Sequence, residues 1–279
     1  MNISKQFLQT QLIQTIEIAH AAGELLLEGF EKEKSIDQKS SAVDWVTEYD
    51  RASEKLIVDR LLSANPDHGI VGEEGSRKEG TSGYKWYIDP LDATNNYAHR
   101  FPIFAVSIAL YFNETALIGV VYDPLRKETF TGVRGDGAYL ITPSGKQKLS
   151  VSSIANLQHS LIATGFPYDR QTSKHNNIAE VKAFVNAAQG IRRPGCAALD
   201  MVYVAAGRLD GYWEYKLFVW DMAAARLIVE ESGGVFTKPD GQGIILDEKL
   251  SVLVSNGHIH EQMLQVLEKA KIDRQELDH

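Results

Sequence analysis

One cysteine, Cys196, occurs in 279 residues. A single thiol excludes a disulfide framework or a thiolate metal cluster within one chain, and it accords with a reducing compartment. No apolar run approaches the roughly 20 residues needed to span a bilayer. Lys5 is the only early basic residue and no unbroken apolar core follows it, so a signal peptide is not expected and the cytoplasm is the expected location. Positive charge is also in short supply. Lys and Arg number 29 against 37 Asp and Glu, giving a net charge of −8. That balance argues against a general nucleic-acid or membrane-surface binder, which would normally carry a basic face. It leaves a phosphate ligand open, because bound Mg²⁺ reverses the sign of a local field. Internal repeats, low-complexity tracts and long linkers are missing too. What remains is ordinary for a globular protein, with 44% hydrophobic and 24% charged residues.

The chain is long enough for one large domain or two closely packed halves, and the expected boundary lies near Ser150, giving 1–150 and 151–279. Residues 3–30 place Phe7, Leu8, Leu12, Ile16, Ala19, Ala22, Leu26 and Leu27 at helical spacing. Most of Glu31 to Lys39 reads as a solvated loop, with Lys39-Ser40-Ser41 left open because it leads into Val43-Asp44-Trp45. Thr47 then caps a second helix, with Asp50 in the reciprocal position, and that helix runs to a turn at Asn65-Pro66. Gly69–Gly72 is a short strand ending on Glu73-Glu74. From Phe104 to Ile141, β-rich runs alternate with turns, an antiparallel meander. The second half alternates strands (Leu161–Thr164, Gly211–Glu214, Val235–Thr237, Val252–Ser255) with helices (178–188, 197–206, 220–231, 258–271). The fold class is therefore α/β, with α+β character in the first half.

The most informative stretch is Trp86-Tyr87-Ile88-Asp89-Pro90-Leu91-Asp92-Ala93-Thr94-Asn95-Asn96. Tyr84–Ile88 reads as a buried strand that Pro90 stops, since proline has no N–H to give a ladder. Asp89 sits at the strand end, and Asp92 stands where it would cap the following helix. The N–H groups of Ala93 and Thr94 would then point outward as an anion site. Two hard carboxylates beside such a site suggest Mg²⁺ bridging protein and phosphate. An ordinary Asp-Pro turn followed by a helix cap explains the same residues. Asp50, Glu73 and Asp221 also lie where strands or loops meet helices. Each one alone is explained as a cap or surface charge. Their convergence with Asp89 and Asp92 would not be, because clustered like charges repel unless a cation neutralises them.

Taken together, Gly72-Glu73-Glu74, Asp89-Pro90-Leu91-Asp92-Ala93-Thr94 and Trp220-Asp221-Met222-Ala223-Ala224-Ala225 resemble the inositol monophosphatase family. Further matching segments are Asp44-Trp45-Val46-Thr47-Glu48-Tyr49-Asp50, Thr164-Gly165-Phe166-Pro167 and Arg193-Pro194-Gly195-Cys196-Ala197-Ala198-Leu199-Asp200. Motifs in this order over nearly the whole chain are specific where any one is not. The resemblance implies a layered α-β-α-β-α sandwich, usually a homodimer, and Mg²⁺-dependent hydrolysis of a phosphomonoester.

By position, the resemblance implies that Glu73, Asp89 and the carbonyl of Leu91 hold a first Mg²⁺. Asp89, Asp92 and Asp221 would hold a second, and Glu73 would also touch a looser third. Thr94, with Glu73, would orient and activate the metal-bound water, and Asp50 would support Thr94 from behind. The N–H groups of Ala93 and Thr94 would cradle phosphate. Glu214 and Gly195-Cys196-Ala197 would meet the alcohol half of the substrate, and Lys39 would sit on a loop flanking the metals. This agrees with phosphoryl-transfer chemistry, which needs positioning and charge neutralisation more than covalent help. Oxygen-only ligands also suit Mg²⁺ better than Zn²⁺.

Two positions depart from the family pattern. Its usual Asp-Gly-Thr is Asp92-Ala93-Thr94 here, and its second Thr is Asn95. Ala93 is expected in a helix-start conformation. Glu214 has an alternative as a salt-bridge partner of Lys216 or Arg208. Arg192-Arg193 is a surface pair or part of a second phosphate site, Cys196 a small helix-start residue, and His99 structural. The expected substrate is a small polyol phosphate, myo-inositol 1-phosphate first. Fructose 1,6-bisphosphate, histidinol phosphate or a 3′,5′-bisphosphate nucleotide are the alternatives, the last disfavoured by Asn95-Asn96-Tyr97. A binding protein that had lost catalysis would lack a carboxylate or Thr94, and none is lacking. No nucleic-acid or membrane partner is expected.

Overall fold

The computed structural model describes residues 3–39, 45–246 and 249–276. The Ser40, Ser41, Val43 and Asp44 part of the motifs lies outside the described residues. Helix α1 (Lys5–Phe30) begins at Ser4, whose side chain accepts the Phe7 N–H at 3.1 Å. Strands β1 (Ile36–Gln38) and β2 (Trp45–Thr47) pair antiparallel, so part of the expected loop after α1 is a short ladder. All three β1 residues are exposed, which removes the apolar alternation that would have signalled a strand. Helix α2 (Glu48–Ala64) starts with the expected capping box: Asp50 Oδ2 accepts the Thr47 N–H at 2.8 Å.

Strands β3 (Gly69–Gly72), β4 (Arg77–Lys78) and β5 (Tyr84–Asp92) precede the single-turn helix α3 (Thr94–Ala98). Then come β6 (Ala105–Phe112), β7 (Thr115–Asp123), β8 (Glu128–Val133), β9 (Gly137–Thr142) and β10 (Gly145–Lys148). They form one eight-stranded sheet in the order β10-β9-β8-β7-β6-β5-β3-β4. The meander expected for β6–β9 is antiparallel throughout, and β3 joins β5 in parallel. The second sheet has five strands in the order β12 (Gly190–Arg192), β11 (Leu161–Thr164), β13 (Gly211–Phe218), β15 (Lys249–Ser255), β14 (Val235–Thr237). Its elements run along the chain as β11, α4 (Ile178–Ala187), β12, α5 (Ala197–Ala205), β13, α6 (Val219–Glu231), β14, β15 and α7 (His260–Glu276).

The apolar faces stack these elements into five layers. Helices α1 and α2 cover one face of the large sheet, burying Leu26, Ile57, Trp86 and Ile108. Helices α5 and α6 fill the space between the two sheets with a core that draws on both, including Phe130, Leu199, Tyr212 and Ile228. Helices α4 and α7 close the outer face of the small sheet around Phe184, Trp213 and Met263. This is the expected α-β-α-β-α sandwich. Full burial of one such side chain is worth about 1.5–3 kcal/mol, so parting the sheets would expose many such contributions at once. A glycine sets the closest approach: a Cβ at Gly119 would collide with the Ala224 carbonyl. Helix α6 thus lies against β7, and its N-terminus reaches the end of β5.

Pro90 does not end β5. The ladder to β6 pairs Asp89 with Ser107 and next Asp92 with Ala105, three steps on β5 against two on β6. That single extra residue is a β-bulge. A bulge is where a strand tolerates proline, because no ladder N–H is demanded there. The Pro90 carbonyl instead accepts the Ser53 hydroxyl at 2.9 Å. No helix among the described residues is long and apolar enough to cross a membrane.

Candidate active site

The bulge turns both aspartates of β5 toward a cleft of about 120 Å³ between the two sheets. Asp89 Oδ1 accepts the Leu91 N–H at 3.0 Å, which fixes the short loop between the two acids. Glu73 enters from the end of β3, its own N–H bonded to the Ile88 carbonyl at 3.1 Å. Asp221 enters from the first turn of α6, where its Oδ2 accepts the Phe218 N–H at 2.8 Å. Glu73, Asp89, Asp92 and Asp221 therefore line one cleft, with Leu91 beside them.

Asp92 is placed by a different interaction from the expected one. It does not cap α3, whose N-cap is Ala93 with no side-chain hydrogen bond. Its Oδ2 instead accepts the Ala198 N–H at 2.6 Å and the Cys196 thiol at 3.0 Å. Asp92 thus serves the N-terminus of α5, on the other half of the chain. Ala93 departs from expectation as well: its φ is +79°, in the left-handed region, not at a helix start. That conformation costs an L-residue roughly 1–2 kcal/mol. Thr94 opens α3, and its Oγ1 donates to Asp50 Oδ1 at 2.6 Å and lies 3.2 Å from the Leu91 carbonyl. The first N–H groups of a helix have no acceptor within it, and Ala93 and Thr94 both line the cleft.

The far wall comes from the second half. Gly195, Cys196 and Ala197 lead into α5, and Glu214 projects from β13. The expected alternative for Glu214 does not hold, because Lys216 pairs with Asp169 and Arg208 with Glu128. The Tyr212 hydroxyl donates to Glu214. Arg193 lines the cleft with its guanidinium over the Phe166 ring, 5.6 Å from the centroid. Lys39 donates to Glu73 at 2.8 Å and also pairs with Glu74.

The electrostatics follow from burial among like charges. Burial, then the charges of Glu73, Asp92 and Asp221, hold Asp89 well above the carboxylate range. Asp221 is raised in the same way, by burial and then by Glu73 and Asp92. Asp92 is pushed up to about 6 by burial, against the pull of the Cys196 thiol and the Ala198 N–H. Asp50 is raised to about 6 by burial, despite its threonine donors. Burial alone would lower the Lys39 ammonium, yet Glu73 and Glu74 hold it above its ordinary value. Burial also raises the Cys196 thiol, with the Asp92 charge adding to it, so it stays protonated and unreactive.

No group of three or more His, Cys, Asp or Glu side chains among the described residues is arranged to hold a metal ion. What fits a hard cation is the chemistry of the wall, where the carboxylates of Glu73, Asp89, Asp92 and Asp221 stand with Leu91 as oxygen donors. Burial first, and the neighbouring acids after it, favour the protonated forms of Asp89, Asp92 and Asp221, and a bound cation would oppose both.

Several contributors were not singled out from the sequence. Glu54 Oε2 accepts the Glu74 N–H at 2.7 Å and its Oε1 the Ser76 N–H at 2.9 Å, so it shapes the loop that bears Glu73. The signal was available, since Glu54 follows Asp50 by one helical turn on the same face. Asn96 donates to the Pro194 carbonyl at 2.9 Å and ties α3 to the far wall. Asp200 is buried on α5 with no hydrogen-bond partner for its Oδ1. Both stand in the motif segments quoted above, but nothing local gave either of them a role. His99 stacks on Trp45 and takes no part in the cleft.

Comparison with known proteins agrees with this arrangement. The family model described as "Inositol monophosphatase family" matches residues 8–271. An inositol-1-monophosphatase of Synechocystis sp. is 40% identical over 261 residues, covering 93% of this chain and 89% of its own. A Pseudomonas aeruginosa protein named Nus factor SuhB is 42% identical over 247 residues, covering 86% of this chain and 90% of its own. The solved inositol monophosphatase of Anabaena (Nostoc) superposes with a TM-score of 0.84 at 38% identity, covering 94% of this chain and 96% of its own. A family match over residues 8–271, together with the same layered fold, makes the chain a member of the inositol monophosphatase family of phosphatases.

Proposed function

We propose that the chain is a Mg²⁺-dependent phosphomonoesterase that releases inorganic phosphate from a small polyol phosphate, myo-inositol 1-phosphate first. The observation that carries this reading is one cleft lined by Glu73, Asp89, Asp92 and Asp221, with the Thr94–Asp50 pair at its edge. Glu73, Asp89, Asp92, Asp221 and the Leu91 carbonyl would hold two to three Mg²⁺ ions, and these would neutralise phosphoryl charge and lower the pKa of a water. The remaining work falls to the chain itself. The Thr94 hydroxyl donates a hydrogen bond to Asp50, which leaves a lone pair free to accept a hydrogen bond from the attacking water and orient it. Glu73 reaches the same water from β3. The turn at Ala93 and Thr94 offers backbone donors to phosphate. Glu214 accepts from hydroxyls of the leaving alcohol, and Gly195, Cys196 and Ala197 bound the space that it occupies. Lys39 balances the charge on Glu73 and Glu74. A homodimer is the assembly we propose from family membership, to be checked by sedimentation.

The test is a phosphate-release panel of polyol, sugar, amino-alcohol and nucleotide monophosphates and bisphosphates, run with Mg²⁺ and with excess EDTA. Inositol monophosphate should be turned over fastest, only with Mg²⁺, and with inhibition by millimolar Li⁺. Full turnover in EDTA would remove the metal mechanism. A stronger preference for fructose 1,6-bisphosphate or histidinol phosphate would replace the substrate.

A further inference from the structure

The Thr164-Gly165-Phe166-Pro167 segment has no part in the chemistry described so far, yet Gly165 is packed directly on the carboxyl group of Glu214. A Cβ built at Gly165 would overlap both carboxylate oxygens of Glu214 and its Cδ. Gly165 has no freedom to withdraw. Its carbonyl accepts the Asn177 side-chain N–H at 2.6 Å, and the same amide donates to Thr164 Oγ1 at 2.7 Å. Asn177 Oδ1 accepts the Trp213 indole N–H at 2.6 Å, and Thr164 Oγ1 donates to the Trp213 carbonyl at 2.7 Å. Trp213 immediately precedes Glu214. The glycine and the glutamate are therefore fixed to one another through a buried network, with Asn177 wholly enclosed.

Glu214 has little freedom either. The Tyr212 hydroxyl holds it from its own strand. The neighbouring acid Asp200 is buried on α5 and raised first by burial and then by the Glu214 charge, so it lies close to the same carboxyl group. We propose that Gly165 is a specificity-determining positioning residue. By lacking a side chain it creates the seat in which Glu214 meets the alcohol half of a polyol phosphate, and any larger residue displaces that carboxylate. The inference rests on Glu214 being the acceptor for substrate hydroxyls.

The experiment is a double-mutant cycle read as a ratio. For each variant, kcat/KM for inositol monophosphate is divided by kcat/KM for an aryl phosphate measured on the same preparation, so the folded fraction cancels. A hydrogen bond to a charged group corresponds to a ten- to hundredfold effect, roughly. Glu214→Ala should lower the ratio by about that factor, chiefly through KM. Gly165→Ala should lower it comparably, and the double variant G165A/E214A should lower it no further. G165A/E214D should recover part of the ratio lost in Gly165→Ala, because the shorter acid frees the space. If the losses of the two single variants multiply, or Gly165→Ala leaves the ratio intact, the seat is not the reason for the glycine. Should Gly165→Ala fail to fold, folding restored by G165A/E214D supports the same contact, and failure of both overturns it. Wild-type protein with no polyol preference over the aryl phosphate would remove the substrate reading itself, a result distinct from any of these.

Discussion

Asp92 Oδ2 accepts the backbone N–H of Ala198 at 2.6 Å across 106 residues of sequence. One carboxylate thus faces the cleft and also anchors the first turn of α5 in the other half of the chain. Its two duties predict a split between substitutions. Asp92→Asn keeps an oxygen for Ala198 but removes a charge from the cleft, so turnover should collapse while Tm changes little. Asp92→Ala removes the anchor as well and should cost a further 0.5–2 kcal/mol or so, the range for a lost helix cap. Thermal melts beside phosphate-release rates measure both. An Asn variant that melts early yet hydrolyses normally would reduce Asp92 to an anchor.

Thr94 donates to Asp50 at 2.6 Å, and Asp50 is wholly buried. Thr94→Val keeps the shape and removes the hydroxyl. We expect kcat to fall by about 10²–10⁴, the usual worth of a positioned proton-transfer group, with KM much less affected. Thr94→Ser should retain a large part of the rate. Equal losses in Val and Ser variants would show that packing, and not the hydroxyl, is what matters.

Ala93 holds φ at +79° where glycine would be unstrained. Ala93→Gly trades left-handed strain of about 1–2 kcal/mol for a glycine entropy cost of about 0.5–1 kcal/mol. The net expectation is unchanged or higher stability, about 0–1.5 kcal/mol, whereas Ala93→Val should destabilise. Denaturant midpoints decide this, and a clear loss of stability in the glycine variant would contradict the strain.

The raised acids give a pH signature. Asp50 and Asp92 stand at about 6, and Glu74 and Glu214 at about 7, all driven first by burial. Their folded-state values exceed the ordinary 3.8 and 4.5, so the folded chain holds these protons more tightly than the unfolded chain. The resulting stability is full below about pH 4 and is lost as pH rises through 6 to 7. In EDTA, Tm should therefore fall between pH 5 and pH 8. Mg²⁺ binds the ionised carboxylates and should flatten or reverse that fall. A Tm in EDTA that rises over this range would count against the protonated cluster.

The layer order followed from the family resemblance; the sequence by itself determined most of the element types and picked out the acids that the fold brings to one cleft. Those properties are local: apolar period, capping residues such as Thr47 and Asp50, and motifs read in order. That β5 runs on through Pro90 has no local signal, because a β-bulge depends on the partner strand, and β5 meets Ser107 and Ala105 of β6 only in the fold. The exposed β1 gave no signal because both its faces are wet. Which helix Asp92 serves, and where Glu214 finds its partner, were decided by tertiary structure alone. A carboxylate takes the strongest donors that packing brings to it, and here those are Ala198 and Tyr212. Distant segments meet only when the two sheets close on the shared helix layer, so no spacing along the chain encodes that choice.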